Sequence, residues 1–215
     1  NDLWNNIYAY ACKLNSNGGN VTIQSIQEEE IYQHFNLKKI SPHFNSIKKL
    51  KQDSQAILNP LKNTIGGFHL SRKDSLQQIY ETVSNNQFTI ITGKAGVGKS
   101  AAVKDLLNSQ FSTSSIFVFR ADQFNQPHLA NVFSSQGIHE SLPDIFSCIA
   151  LIPQKIIVID SLEKLLEGDP ENAFKQLLYF FFFFPNKKCI RTSRRYAIDL
   201  IFHIFGMDDN KITVE

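Results

Sequence analysis

From about residue 66 onward the chain alternates short, nearly continuous apolar runs with segments whose apolar residues return every three or four positions. The apolar runs are FTIIT (88–92), SIFVF (115–119), KIIVID (155–160), KCIRTS (188–193) and KITV (211–214), and each is bounded by polar or turn-forming residues. Runs of that length rich in Ile, Val and Phe predict buried strands. Between them, 74–84, 99–107 and 172–181 carry helical periodicity, and 120–150 is mixed helical material. Strands without polar alternation, separated by helices, predict an α/β fold with a parallel sheet covered on both faces. The run LLYFFFFFP (Leu177–Pro185) is the most apolar stretch. It falls well short of the roughly 18 residues needed to cross a bilayer, and reads as a buried helix end or as a patch facing lipid or a partner.

Residues 1–65 follow a different pattern. Apolar positions recur at helical intervals over Leu3–Leu14, SNGGN (16–20) interrupts them, and VTI (21–23) suits a short extended segment. Ser25 is followed three residues later by Glu28, the spacing of a capping box opening a helix. A longer helical pattern runs through Ile47, Leu50, Ile57, Leu58 and Leu61. This region reads as a small mostly helical unit, either winged-helix-like or a plain helical linker. GGFHLSR (66–72) reads as a hinge followed by an extended segment, and places a domain boundary between 65 and 66. The chain starts at Asn1 without a Met, and is read as part of a longer protein.

Composition changes the picture little. With 215 residues, 42% hydrophobic and 20% charged, the chain is long enough for a medium domain plus a small one. A net charge of +2 and dispersed lysines do not indicate a nucleic-acid partner. The densest basic run, IKKLK (47–51), suits the solvated face of a helix. Cys12, Cys148 and Cys189 form neither a C-x-x-C pair nor a disulfide framework, which fits a reducing, cytoplasmic compartment. The six histidines have no metal-site spacing.

The chemistry concentrates in GKAGVGKSA, Gly93–Ala101, which lies between a predicted strand and a predicted helix and fits G-x-x-x-x-G-K-[ST]. Gly93, Gly96 and Gly98 let backbone N–H groups approach phosphate oxygens, with Lys94, Ala95 and Val97 completing the loop. The following helix adds its N-terminal partial charge at Lys99, Ser100 and Ala101. Lys99 is expected to reach the β and γ phosphates, and the Ser100 hydroxyl to ligate Mg²⁺. Asp160 ends a buried strand at the sheet edge where α/β ligands bind, so it is the expected second Mg²⁺ partner; it also suits a helix cap for Leu162. Ser161 stands where many such ATPases place a catalytic Glu, and the first carboxylate beyond is Glu163. Glu163 is read either as the base that polarises water or as a surface residue pairing with Lys164. Such a displacement points to slow or conditional hydrolysis. CIRTSRR ends another strand, so Thr192, Ser193 or Arg194 can face the third phosphate. Arg194 is read as a phosphate sensor, with a structural salt bridge as the alternative.

Four stretches taken together, FHLSRKDSLQQI, GKAGVGKS, IIVIDSLEKLLE and CIRTSRR, resemble the STAND-class P-loop NTPases, the group of NACHT proteins and apoptotic ATPases. The stretches FRADQF and DSLEKLLE are most similar to bacterial antiphage members. The resemblance covers about 66–215 and implies a sheet order of 5-1-4-3-2, with KITV beside the phosphate-loop strand. It places Leu70 and Arg72 against adenine and ribose. Lys164 stands where a second acid is usual, which leaves the base open. It further implies lid and winged-helix domains after Glu215, sensor and effector domains elsewhere, ATP/ADP and Mg²⁺ as cofactors, and a homo-oligomer of the full-length protein. The function expected is an ATP-binding regulatory switch with slow or triggered hydrolysis. The alternatives are an AAA-type motor or DNA-loading ATPase, and a degenerate scaffold that needs no nucleotide.

Overall fold

The computed structural model describes residues 2–16, 43–62, 64–65, 68–69, 73–150, 152, 154–168, 173–182, 187–206 and 210–213. The chain divides into two compact units, Asn1–Pro42 and His43–Glu215. In the first, α1 (Asp2–Ser16) forms where the helical spacing predicts it. The expected extended segment at 21–23, the capping-box helix from Ser25 and the winged-helix-like arrangement fall on residues outside those described.

The second unit is built on five parallel strands. They are β3 (Phe88–Gly93), β4 (Ser115–Arg120), β5 (Lys155–Asp160), β6 (Lys187–Arg194) and β7 (Asn210–Thr213), in the spatial order β4-β5-β6-β3-β7. Counting the phosphate-loop strand as the first, this is the expected 5-1-4-3-2 order, with the last strand beside β3. A two-stranded hairpin, β1 (Thr64–Ile65) with β2 (Phe68–His69), precedes the sheet.

Both faces are covered, as uninterrupted apolar strands require. One face packs Ile91, Val118, Val158 and Ile190 against α3 (Lys73–Asn85) and α4 (Lys99–Gln110), through Ile79, Val83, Val103, Leu106 and Leu107. The other packs Ile90, Phe117, Phe119, Ile157 and Ile159 against α5 (Leu129–Ser135), α6 (Leu142–Ala150), α7 (Ala173–Phe182) and α8 (Ile198–Phe205). Fully burying an aliphatic side chain of this kind contributes roughly 1.5–3 kcal/mol before the chain's entropy is set against it. In the apolar run from Leu177, Leu177 and Leu178 are buried and the Phe180 ring stacks on Phe146 at 4.4 Å, while Tyr179 is 63% exposed, so this part is a helix end that packs on the core along one side.

Two differences from the sequence reading stand out. Helix α8 lies in a segment where the apolar spacing was not read as a helix; Gly206, at φ 59, closes it in the left-handed conformation. The compact unit also begins at His43, whereas the sequence boundary sits at 65/66. The reason is α2 (His43–Leu58), which packs on β4, one edge of the sheet. Leu50 and Leu58 enter the two cores, and Ser54, 2% exposed, accepts the Val118 N–H at 2.8 Å while donating to the Leu50 carbonyl at 2.7 Å. The helix thereby satisfies a backbone group that an open edge would leave bare.

Candidate functional site

The C-terminal ends of β3, β5 and β6 meet at one edge of the sheet, the edge at which parallel α/β sheets take ligands. After β3 the chain turns through Lys94–Val97 into α4. Gly96 and Gly98 adopt φ 78 and φ 87, values that a side chain at either position would strain. That turn aims the unpaired N–H groups at the start of α4 back over the loop.

The Lys99 amine folds over this turn and donates to the carbonyls of Gly93 at 3.2 Å and Lys94 at 2.9 Å. Burial pulls its pKa below the ordinary value of 10.5; Glu163 opposes that shift, Arg194 adds to it, and Asp160 opposes it. Next along the helix, the Ser100 hydroxyl donates to Asp160 Oδ1 at 2.7 Å. Asp160 ends β5 as the sequence reading has it. Its carboxylate also accepts the Thr192 hydroxyl on Oδ1 at 2.6 Å and the Ser161 hydroxyl on Oδ2 at 3.3 Å. A hydroxyl beside a carboxylate is a hard, all-oxygen pair that suits Mg²⁺, which keeps most of its shell as water and phosphate oxygens. Among the described residues no cluster of three or more His, Cys, Asp or Glu offers an alternative metal site.

Beyond Asp160 the chain turns at Ser161, which has φ 63 and caps the 3₁₀ turn Leu162–Glu167. This turn swings Glu163 inward. Its side chain is 9% exposed and meets Arg194 twice, accepting the backbone N–H at 3.1 Å and the guanidinium Nε at 3.1 Å. Glu163 is therefore not a surface partner of Lys164, which pairs instead with Glu167 at 2.6 Å. The salt bridge set against a phosphate contact for Arg194 is formed, and 42% of the Arg194 side chain remains exposed. In the β3–β6 register Arg194 lies opposite Gly93, so the arginine and the start of the phosphate loop are neighbours across the sheet.

Solved structures resemble this fold. The Walker-type ATPase of Pyrococcus abyssi matches 67% of this chain and 53% of its own, at 17% identity and a TM-score of 0.51. The closed state of Hsp104 with ATPγS and casein matches 77% of this chain and 29% of its own, at 15% identity and a TM-score of 0.51. AMPPCP-bound DnaA from Aquifex aeolicus matches 74% of this chain and 51% of its own, at 17% identity and a TM-score of 0.48. The chain has the P-loop ATPase fold. It spans about half the length of the first of these proteins (53%) and under a third of the second (29%). No protein-family model matches the sequence, and no curated protein matches it.

Within this fold the structure brings together Gly93, Lys94, Ala95, Gly96, Val97, Gly98, Lys99, Ser100, Ala101, Asp160, Glu163 and Arg194 at one edge of the sheet. Leu70 and Arg72 lie outside the described residues. Ser193 and Thr192 are 0% and 1% exposed, so of the three candidates on β6 only Arg194 presents its side chain to solvent. The sequence reading missed how Thr192 is used; a hydroxyl one pair before a strand's end gives a weak signal until the neighbouring strand is known.

A cavity of about 670 Å³ opens at the opposite edge of the sheet, among Tyr80, Phe111, Gln110, Gln154 and Lys188. Of its three lysines, Lys188 donates to the Ser84 and Asn86 carbonyls and Lys155 to the Ala150 and Ile152 carbonyls. The glycine turn, Asp160 and Arg194 lie at the other edge.

Proposed function

We propose that the chain binds ATP with Mg²⁺ at this loop and serves as the nucleotide switch of a larger signalling protein of the STAND class, hydrolysing ATP slowly or on a trigger. The observation that carries nucleotide binding is the Ser100–Asp160 contact at 2.7 Å beneath a glycine turn that already holds the Lys99 amine. Main-chain donors, an ammonium and a hard-oxygen pair converge there, the set a polyphosphate with its cation requires. When bound, Mg²⁺ would neutralise charge on the phosphates, held by Ser100 and Asp160. Lys99 would exchange its loop carbonyls for phosphate oxygens.

Slow turnover is supported by Glu163. A general base must reach the water it activates, and here both carboxylate oxygens are engaged by Arg194. In this reading Arg194 senses the third phosphate and releases the base as it does so. A state-dependent contact of this kind biases an equilibrium only through differential affinity, so ATP and ADP must bind the two arrangements unequally. The four motif stretches support the wider reading of homo-oligomerisation and of lid, sensor and effector parts; FRADQF and DSLEKLLE support antiphage defence, and the cysteine pattern supports a cytoplasmic setting. No helix among the described residues is long and apolar enough to cross a membrane.

Calorimetric titration of ATP with Mg²⁺, alongside turnover with and without DNA, tests this. Wild type is expected to bind, Lys99→Ala to bind roughly 10- to 100-fold more weakly as charge-assisted contacts are lost, and turnover to be slow and indifferent to DNA. Turnover on the order of 10 s⁻¹, a usual enzymatic rate, that rises with DNA supports the motor reading instead. Equal binding by Lys99→Ala rejects the phosphate site.

A further inference from the structure

We propose that Thr192 is a positioning residue which ties the metal-binding carboxylate of Asp160 to the turn that carries Glu163. This rests on the nucleotide reading above and deepens it by naming what fixes the cation half of the site.

A threonine hydroxyl has one proton to give and lone pairs to accept with. Thr192 gives its proton to Asp160 Oδ1 at 2.6 Å and accepts the Ser161 N–H at 2.8 Å. It does so from the interior, at 1% exposure, where water cannot replace either bond. The Ser161 peptide it holds is an unusual one. Ser161 is the one non-glycine residue with positive φ among the described residues, a conformation that L side chains resist unless their surroundings enforce it. The Thr192 bond is part of that enforcement.

Two residues on, the same strand holds the far end of the turn, since Arg194 grips Glu163 through its backbone N–H and its Nε. Positions two apart on a strand project to the same side. β6 therefore clamps the segment 160–163 at both ends, with Thr192 on the cation side and Arg194 on the base side. Ser100 also donates to Asp160 Oδ1, but that hydroxyl is the expected cation ligand and is given up to the metal. Thr192 has no such second duty, so it is the bond that keeps the Asp160 carboxylate oriented in the loaded state. Outer-shell partners of this kind typically alter metal affinity by about 10- to 100-fold when removed.

The test uses the full chain and Mn²⁺ as a spectroscopic probe in place of Mg²⁺. Thr192→Val keeps the shape and deletes the hydroxyl; Thr192→Ser restores it. Mn²⁺ affinity measured by electron paramagnetic resonance in the presence of saturating ATPγS is expected to fall about 10-fold or more in Thr192→Val. It should return to near wild type in Thr192→Ser. Affinity for ATPγS in EDTA, set by the loop and Lys99, is expected to stay within about twofold, a change worth little in free energy. A merely structural role lowers both affinities together, and that outcome overturns the proposal, as does unchanged Mn²⁺ affinity. Should the valine variant not fold, Thr192→Ala makes the same deletion and is read in the same way. A wild-type protein whose ATPγS affinity does not rise when Mn²⁺ is added overturns this inference alone. One that binds no nucleotide overturns the nucleotide reading with it.

Discussion

Glu163 and Arg194 face each other across the end of the turn after β5, a carboxylate at 9% exposure against a guanidinium whose side chain is 42% exposed. The exposed guanidinium leaves this half-buried pair open to solvent screening, which limits its worth to stability, and the asymmetry suits a contact that can open. If Glu163 is the base, Glu163→Gln should lower kcat by about 100-fold or more while ATP affinity holds within a few-fold, since general-base catalysis contributes on the order of 10²–10⁴. Single-turnover kinetics beside calorimetry would separate the two quantities. Unchanged turnover in the variant assigns water activation to another group. At this scale the residues of the glycine loop were legible, because such a loop is contiguous in sequence and its character is carried by spacing. The Glu163–Arg194 contact was not legible as a contact. It joins residues 31 apart in sequence through a turn whose left-handed serine has no sequence signature comparable to glycine.

Among the elements, the helices and strands that flank the loop follow from their periodicity, while α2 and α8 show where periodicity stops short. The α8 segment is apolar almost throughout, so its one-sided pattern is blurred by Phe202 and Ile204, which pack partly against the same core. For α2 the helix itself was legible and its destination was not. An amphipathic stripe looks the same whether it packs on its own sheet or on a neighbouring domain. What binds it to the sheet is local and testable. Ser54→Ala removes the acceptor from a buried Val118 N–H, and leaving such a group unsatisfied costs about 1–3 kcal/mol. Urea unfolding should show a lower midpoint with an unchanged slope. A variant as stable as wild type means that water or another group takes over the N–H.

For the molecule as a whole, charge is not confined to the nucleotide edge. Lys187, at the start of β6, is 2% exposed, with its amine 5.4 Å from the centre of the Phe88 ring. Burial lowers its pKa from 10.5 to about 8, with Cys189 opposing and Lys155 and Arg191 adding to the shift. Below about pH 8 the ammonium is charged in both the folded and the unfolded chain, and its burial penalty is present in full. Between about 8 and 10.5 the folded protein sheds the proton that the unfolded chain still holds, so stability rises with pH across that window. Lys187→Met should stabilise the protein at pH 7 by on the order of 1 kcal/mol and flatten the rise between pH 7 and 9.5, as read from urea midpoints. Equal slopes in both proteins reject this account. The strand expected at 188–193 is β6, which begins one residue earlier at Lys187; nothing in a linear pattern distinguishes a lysine inside the sheet from one on its rim.

The amine of Lys99, bonded to the carbonyls of Gly93 and Lys94, gives the loop a built-in rival for its own cation. Dilution cannot weaken a competitor carried on the same chain. A lone inorganic phosphate or sulfate offers that amine a single partner and must outbid two, whereas a chain of phosphates engages the backbone donors of the turn at the same moment. Under the proposed nucleotide reading, discrimination against the abundant small anions of a cell would then be set by these two bonds before any base or sugar is read.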